Sequence, residues 1–125
     1  MRTAVPLWGW LLAIAAGGLG SLLRTALVRA FARHPFPVGV LLANTAASAV
    51  GAATVAWRGV LDSVWVVVIV AGFCGGLSVL STLASDTVEL WIDGHRGLAA
   101  RNVVANVAAG VGAAWAAWAL VSSHP

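Results

Sequence analysis

The sequence predicts an all-α integral membrane protein of four transmembrane helices. Three observations lead there. Of its 125 residues, 61% are hydrophobic and 9% charged, with a mean hydropathy of +0.95. A water-soluble domain of this size needs more polar residues to cover its surface. Apolar stretches recur four times, each close to the roughly 20 residues that cross a bilayer. Most of the seven tryptophans fall near the expected ends of those stretches, where an aromatic belt sits. Four spans and short loops make one domain over 1–125.

The first span is expected over 7–30, anchored at its start by Trp8 and Trp10. It is too long for the apolar core of a signal peptide and lacks a clear cleavage site. The second is expected over 37–57, with Pro37 acceptable in a first turn. The third covers 61–91, about 31 residues, more than one straight crossing needs. The fourth covers 98–122, with Trp115 and Trp118 near its end. Loops of a few residues force neighbouring helices to run antiparallel. Small residues recur four apart, as Gly17 with Ser21, Ala47 with Gly51 and Ala109 with Ala113, a spacing that lets helix backbones approach closely in lipid. One small bundle has little interior, so a dimer is the expected working unit.

All seven basic residues are arginine and the net charge is +3, too small and scattered for a nucleic-acid surface. Loops one and three carry Arg29, Arg33, Arg96 and Arg101, while the other side carries Arg2 and Arg58. The positive-inside rule then puts those two loops in the cytoplasm of a bacterial cell and both termini outside. The single cysteine, Cys74, suits a packing role. No Cys/His cluster has metal-ligand spacing. No nucleophile, base and acid converge, so an enzyme is not expected.

The residues able to carry chemistry lie mostly in the third span. Adjacent glycines at Gly75 and Gly76, followed by Ser78, Ser81 and Thr82, invite a break in the helix near 75–82. A break at membrane depth frees backbone carbonyls that lipid cannot satisfy. Such carbonyls hold cations in transport proteins; the alternative is a glycine-rich packing face. A bulky β-branched residue at Gly75 is expected to abolish folding or activity, since the turn needs a permissive backbone. Asn44 lies in the middle of the second span, where a buried amide must be bonded. It either lines a polar path or joins helices. Asn102 and Asn106, four apart on the fourth helix, carry the same two readings. Arg24 either snorkels to the interface or draws anions to a pore mouth. Asp86 and Glu89 are expected in an interfacial vestibule at the outer end of the third span.

These residues resemble a known family, the fluoride-specific channels called Fluc or CrcB. Gly17-Gly18-Leu19-Gly20-Ser21-Leu22-Leu23-Arg24 resembles its glycine-rich first-helix motif, and Gly39 to Asn44 resembles its GTLxxN motif. The run from Gly72 to Leu83 resembles GFCGGLTTFSTF, and Asn102 to Asn106 resembles the start of the family's fourth helix. The resemblance covers nearly the whole chain. It implies an antiparallel, dual-topology dimer that passes fluoride passively out of the cell. It further implies a structural Na⁺ at the dimer centre, bound by the backbone oxygens of Gly75 and Ser78. Asn44 would be the pore amide, Arg24 would lie at a vestibule, and Ser81, Thr82, Asn106 and Gly110 would line the anion path.

The departures from the pattern are specific. The family's two pore phenylalanines fall at Leu80 and Leu83, its helix-two threonine at Val40, and a frequent helix-four serine at Gly110. Fluoride is small and strongly hydrated, so a pore must replace its water with donors or positive ring edges. Gly75, Gly76, Ser78, Ser81, Thr82, Asn44 and Arg24 are all retained. The expected assembly is therefore a pair of unequal paralogues, with this chain the less equipped subunit. One alternative is a non-conducting assembly or regulatory subunit. Another is a small multidrug-type transporter, which resembles this chain in size but needs a glutamate in its first helix that is absent here. Restoring phenylalanine at Leu80 and Leu83 together is expected to raise fluoride conductance in planar-bilayer recordings, and an unchanged conductance would favour the non-conducting subunit.

Overall fold

The computed structural model describes residues 4–124; Arg2, one of the arginines used to argue orientation, lies outside the described residues. Four stretches are long and apolar enough to cross a membrane: Leu7–Ala30, Val38–Ala56, Ser63–Ile92 and Arg96–Ser122. They are labelled α1 (Leu7–Ala30), α2 (Val38–Ala56), α3 (63–77) with α4 (Leu80–Ile92) for the third span, and α5 (Arg96–Ser122). The fourth span starts at Arg96 rather than at residue 98, and His95 precedes it.

Inside and outside are distributed as lipid requires. The buried apolar residues are mostly small, among them Ala13, Ala43, Ala47, Val64, Val68 and Ala99. Long side chains such as Ile14, Leu19, Leu22 and Val104 are exposed around the bundle. Lipid tails solvate leucine as well as a protein core does, so close packing of small residues and internal hydrogen bonds hold the helices together.

The tightest seam joins α1 to α3, which run side by side in the same direction. Gly9 faces Val64, Ala13 faces Val68 and Gly72, and Gly17 faces Gly72 and Gly76. A Cβ on Gly72 would stand 3.0 Å from Ala13 Cα, and one on Gly76 would stand 2.9 Å from Gly17 Cα. Gly20 extends the same seam, with Leu77 N 2.8 Å from where its Cβ would be. The Gly17–Ser21 spacing thus serves this seam, and Ser21 Oγ donates to the Gly76 carbonyl at 3.3 Å. On α2, Ala43 and Ala47 pack with Cys74 and Leu77 of α3, while Gly51 faces Cys74 Sγ.

The third span is interrupted, but not at the adjacent glycines. Gly75 is helical, at φ −62° and ψ −38°, and the helix runs on to Leu77. The extended residues are Ser78 (ψ 142°) and Val79 (φ −142°, ψ 105°). Gly75 and Gly76 therefore do not make the turn. Gly76 is small because α1 lies against it, and a Cβ on Gly75 would meet only Val70 O, at 3.8 Å. Before this point Val67–Cys74 is π-helical, a widened form common at functional sites. The break changes the partner of the third span: α3 packs on α1, and α4 packs on α5. A straight helix would leave one of these neighbours behind.

Loop three closes α4 tightly. Gly94, at φ 83°, donates its N–H to Trp91 O at 3.2 Å, and His95 N–H reaches Leu90 O at 2.8 Å. These paired bonds satisfy the last carbonyls of the helix. Asp86 and Glu89 sit at this same end. They line a cavity of about 280 Å³ with Phe31, His34, Pro35 and Asp93. They share the end of loops one and three, so the outer position expected for them and the cytoplasmic placement expected for those loops do not hold together. The third span ends beside loop one, on the side that the arginine distribution assigns to the cytoplasm.

Gly76→Ala is expected to cost about 1–3 kcal/mol or to prevent folding, because the added methyl overlaps the α1 backbone. Gly18→Ala, whose Cβ would meet nothing within 4 Å, is expected to stay within about 0.5 kcal/mol of the parent. Thermal unfolding in detergent compares the two.

Candidate pore and cation site

The polar groups in the middle of the bundle form one connected line. Asn44 on α2 accepts the Val79 N–H at Oδ1, 2.8 Å away. Its Nδ2 donates to Asn106 Oδ1 on α5 at 3.0 Å and leans toward Val79 O at 3.5 Å. Asn106 Nδ2 donates in turn to Asn102 O at 2.9 Å and to Asn102 Oδ1 at 3.1 Å. Asn102 is fully buried and donates to Thr87 Oγ1 on α4 at 3.0 Å. Thr87 Oγ1 donates in turn to Leu83 O at 2.7 Å. The i, i+4 spacing on α5 places both amides on one face, and the line ties together α2, α5, the break at Val79 and α4. Buried amides are tolerable in an apolar bundle because each is bonded.

The break leaves backbone oxygens without their helical donors. In an unbroken helix the Gly75 carbonyl would accept from Val79 N–H, four residues on. That N–H is turned to Asn44. Cys74 O is served by Ser78 N–H at 2.9 Å, and Gly76 O by Ser21 Oγ. Gly75 O and Ser78 O receive no backbone hydrogen bond across the break. Both residues are exposed on the surface of the chain. With Ala47, Ser48, Gly51 and Cys74 they line a second cavity, also about 280 Å³. Exposed carbonyl oxygens beside small side chains can coordinate a hard cation such as Na⁺.

The remaining predicted residues divide into two groups. Asn44 and Asn106 are joined, and Gly110 lies beside them on α5, where a Cβ would stand 3.3 Å from Ser48 Oγ. Ser48 Oγ itself returns to Asn44 O at 2.9 Å. Leu80, 77% exposed, and Ser81, also exposed, face away from this cluster, while Thr82 and Leu83 are half-buried. The side chains of Ser81 and Thr82 make no hydrogen bond among the described residues. Arg24 is half-buried on α1 and has no part in the amide line. Sequence reasoning missed Val79, because its contribution is a backbone N–H and its side chain carries no signal. It also missed Thr87 and Ser48, although each lies one helical turn from a residue of interest, Leu83 and Asn44.

A four-span bundle with a broken third helix, freed carbonyls and a buried amide line defines a small polytopic membrane protein with a polar centre. A sequence model of the family described as "CrcB-like protein, Camphor Resistance (CrcB)" matches residues 11–118, and the chain belongs to that family. A "Fluoride-specific ion channel FluC 2" of Haloarcula marismortui is 41% identical over 105 residues, covering 81% of this chain and 86% of its own length. A "Fluoride-specific ion channel FluC 1" of Nocardia farcinica is 36% identical over 115 residues, covering 89% and 79%. A "Fluoride-specific ion channel FluC" of Saccharophagus degradans is 34% identical over 121 residues, covering 90% and 91%.

Asn102→Leu is expected to destabilise the bundle by about 1 kcal/mol, in the range of hydrogen bonds between membrane helices. Thr87→Val added to Asn102→Leu should cost little more, because their shared bond is already lost. A double-mutant cycle by reversible unfolding in detergent measures that coupling.

Proposed function

We propose that this chain is a subunit of a fluoride channel that lets fluoride leave the bacterial cytoplasm passively, relieving its toxicity. Family membership and the names of the relatives support the substrate. The observation that carries the mechanism is the Gly75 carbonyl, released when Val79 N–H turns to Asn44. Gly75 O and Ser78 O would hold a structural, untransported Na⁺ together with the same atoms of a second subunit. Carbonyl oxygens suit such an ion, and their exposure in one chain suits a site completed by another. The bound ion would supply fixed positive charge at the dimer centre.

The anion path would run along α4. Ser81 and Thr82 have hydroxyls free to donate, whereas the Asn44 and Asn106 amide hydrogens are spent within the chain. Leu80 and Leu83 add no positive ring edge. Gly110 adds no side-chain donor, and Arg24 would draw anions to the vestibule. A pore made from two copies would be short of donors, which favours a better equipped paralogue as partner.

Topology supports the same partner. Six tryptophans, Trp8, Trp10, Trp57, Trp65, Trp115 and Trp118, lie toward the end of the bundle that carries the termini, and only Trp91 lies toward the other. Arg24, Arg29, Arg33, Arg96 and Arg101 lie toward the loop-one and loop-three end. The arginine asymmetry favours one orientation. An antiparallel dimer then needs a second chain of opposite bias. The numbering FluC 1 and FluC 2 among relatives agrees with paired paralogues. The non-conducting subunit is the second reading, favoured by the leucines at 80 and 83.

Fluoride efflux from liposomes, followed with a fluoride electrode, tests these readings. Co-reconstitution with the paralogue is expected to give efflux that stops in Na⁺-free medium. Full efflux from this chain alone would overturn the heterodimer. Efflux through the paralogue that this chain modulates, and that stays unchanged when the residues of its own anion path are substituted, would establish the non-conducting reading.

A further inference from the structure

We propose that Asn44 is a positioning residue for the carbonyl site in the third span, acting as the latch that keeps the break open. This rests on the cation reading of Gly75 and Ser78 given above.

The accounting of donors and acceptors leads there. Ser78 and Val79 are extended, and neither is a glycine or a proline, so their side chains do not impose the interruption. Gly75 and Gly76, which could relax the backbone, are helical. The group able to compete for the Val79 N–H is the Asn44 carbonyl, 2.8 Å away on another helix. In a medium without water, that N–H must bond either to Gly75 O, closing the helix, or to Asn44 Oδ1, opening it. Asn44 is held in the second arrangement from its other end. Its Nδ2 donates to Asn106 Oδ1, and Asn106 is fixed by both oxygens of Asn102. With Oδ1 accepting from Val79 N–H and Nδ2 donating to Asn106, the amide is held by the chain at both its oxygen and its nitrogen. The latch therefore acts on the cation site through Val79 and Gly75.

Residue-resolved amide exchange on the full-length chain, in the conducting assembly in lipid nanodiscs, tests the latch directly. Val79 lies outside any helix, yet its N–H is expected to exchange roughly tenfold or more slowly than those of Leu80 and Ser81, which open α4 without helical acceptors. Equal exchange at the three positions would overturn the latch. That measurement needs no variant and no sodium.

A second experiment separates positioning from simple glue. The Na⁺-induced rise in melting temperature is compared for the parent, Asn44→Leu and Asn106→Leu, with N-methylglucamine replacing Na⁺. Both variants lose amide bonds. Only Asn44→Leu returns Val79 N–H to Gly75 O, so only it should lose the Na⁺ response, while Asn106→Leu keeps it at a lower melting temperature. Retention of the full response in Asn44→Leu would overturn the proposal. A parent chain with no Na⁺ response would instead sink the cation reading, and exchange at Val79 would still decide the latch. If Asn44→Leu does not fold, the exchange of Val79 N–H in the parent still decides whether the latch bond is held.

Discussion

The hydrogen bond from Val79 N–H to Asn44 Oδ1, at 2.8 Å, is the contact on which the middle of this protein depends. In water the bond would compete with solvent and contribute little. Within a bilayer the same N–H has only protein acceptors, so its choice of partner decides whether the third span is one helix or two. With Asn44 chosen, α3 ends on α1 and α4 begins on α5. The freed oxygens of Gly75 and Ser78 and the change of packing partner are two consequences of one exchange of acceptor.

That exchange needs a rigid frame, and the frame is built from absent side chains. Ala13, Gly17, Gly20, Gly72 and Gly76 bring two parallel helices so close that a single methyl on Gly72 or Gly76 would strike backbone. Ser21 adds a hydroxyl to this seam and quiets the Gly76 carbonyl. The other half of the bundle is held by amides, with Asn44, Asn106, Asn102 and Thr87 linking α2, α5 and α4. Bulky residues contribute little to the interior; they face outward, where lipid receives them.

The surface of the single chain tells of incompleteness. Gly75, Ser78, Leu80 and Ser81 all lie exposed near mid-span, and two of them line a cavity of about 280 Å³ floored by Cys74. Exposed carbonyls at membrane depth are costly unless covered. In the proposed assembly a second subunit would meet that need.

Hydropathy alone determined the number of spans, because twenty apolar residues answer to bilayer thickness whatever their neighbours are. Glycine and serine spacing likewise marked the α1 seam, since close backbone approach leaves a sequence trace at every contact. The motif around Gly72 to Leu83 marked the family and the neighbourhood of the break. The position of the break was another matter. Adjacent glycines suggested Gly75 and Gly76, and the structure put it at Ser78 and Val79. Asn44 stood out as a lone amide, with a polar path and interhelical glue both open to it. What decided its role was an oxygen on α2 meeting a backbone N–H thirty-five residues away, and a backbone N–H has no letter in the sequence. Composition and spacing report what each helix tolerates; which acceptor a given donor takes is settled only when the helices are brought together.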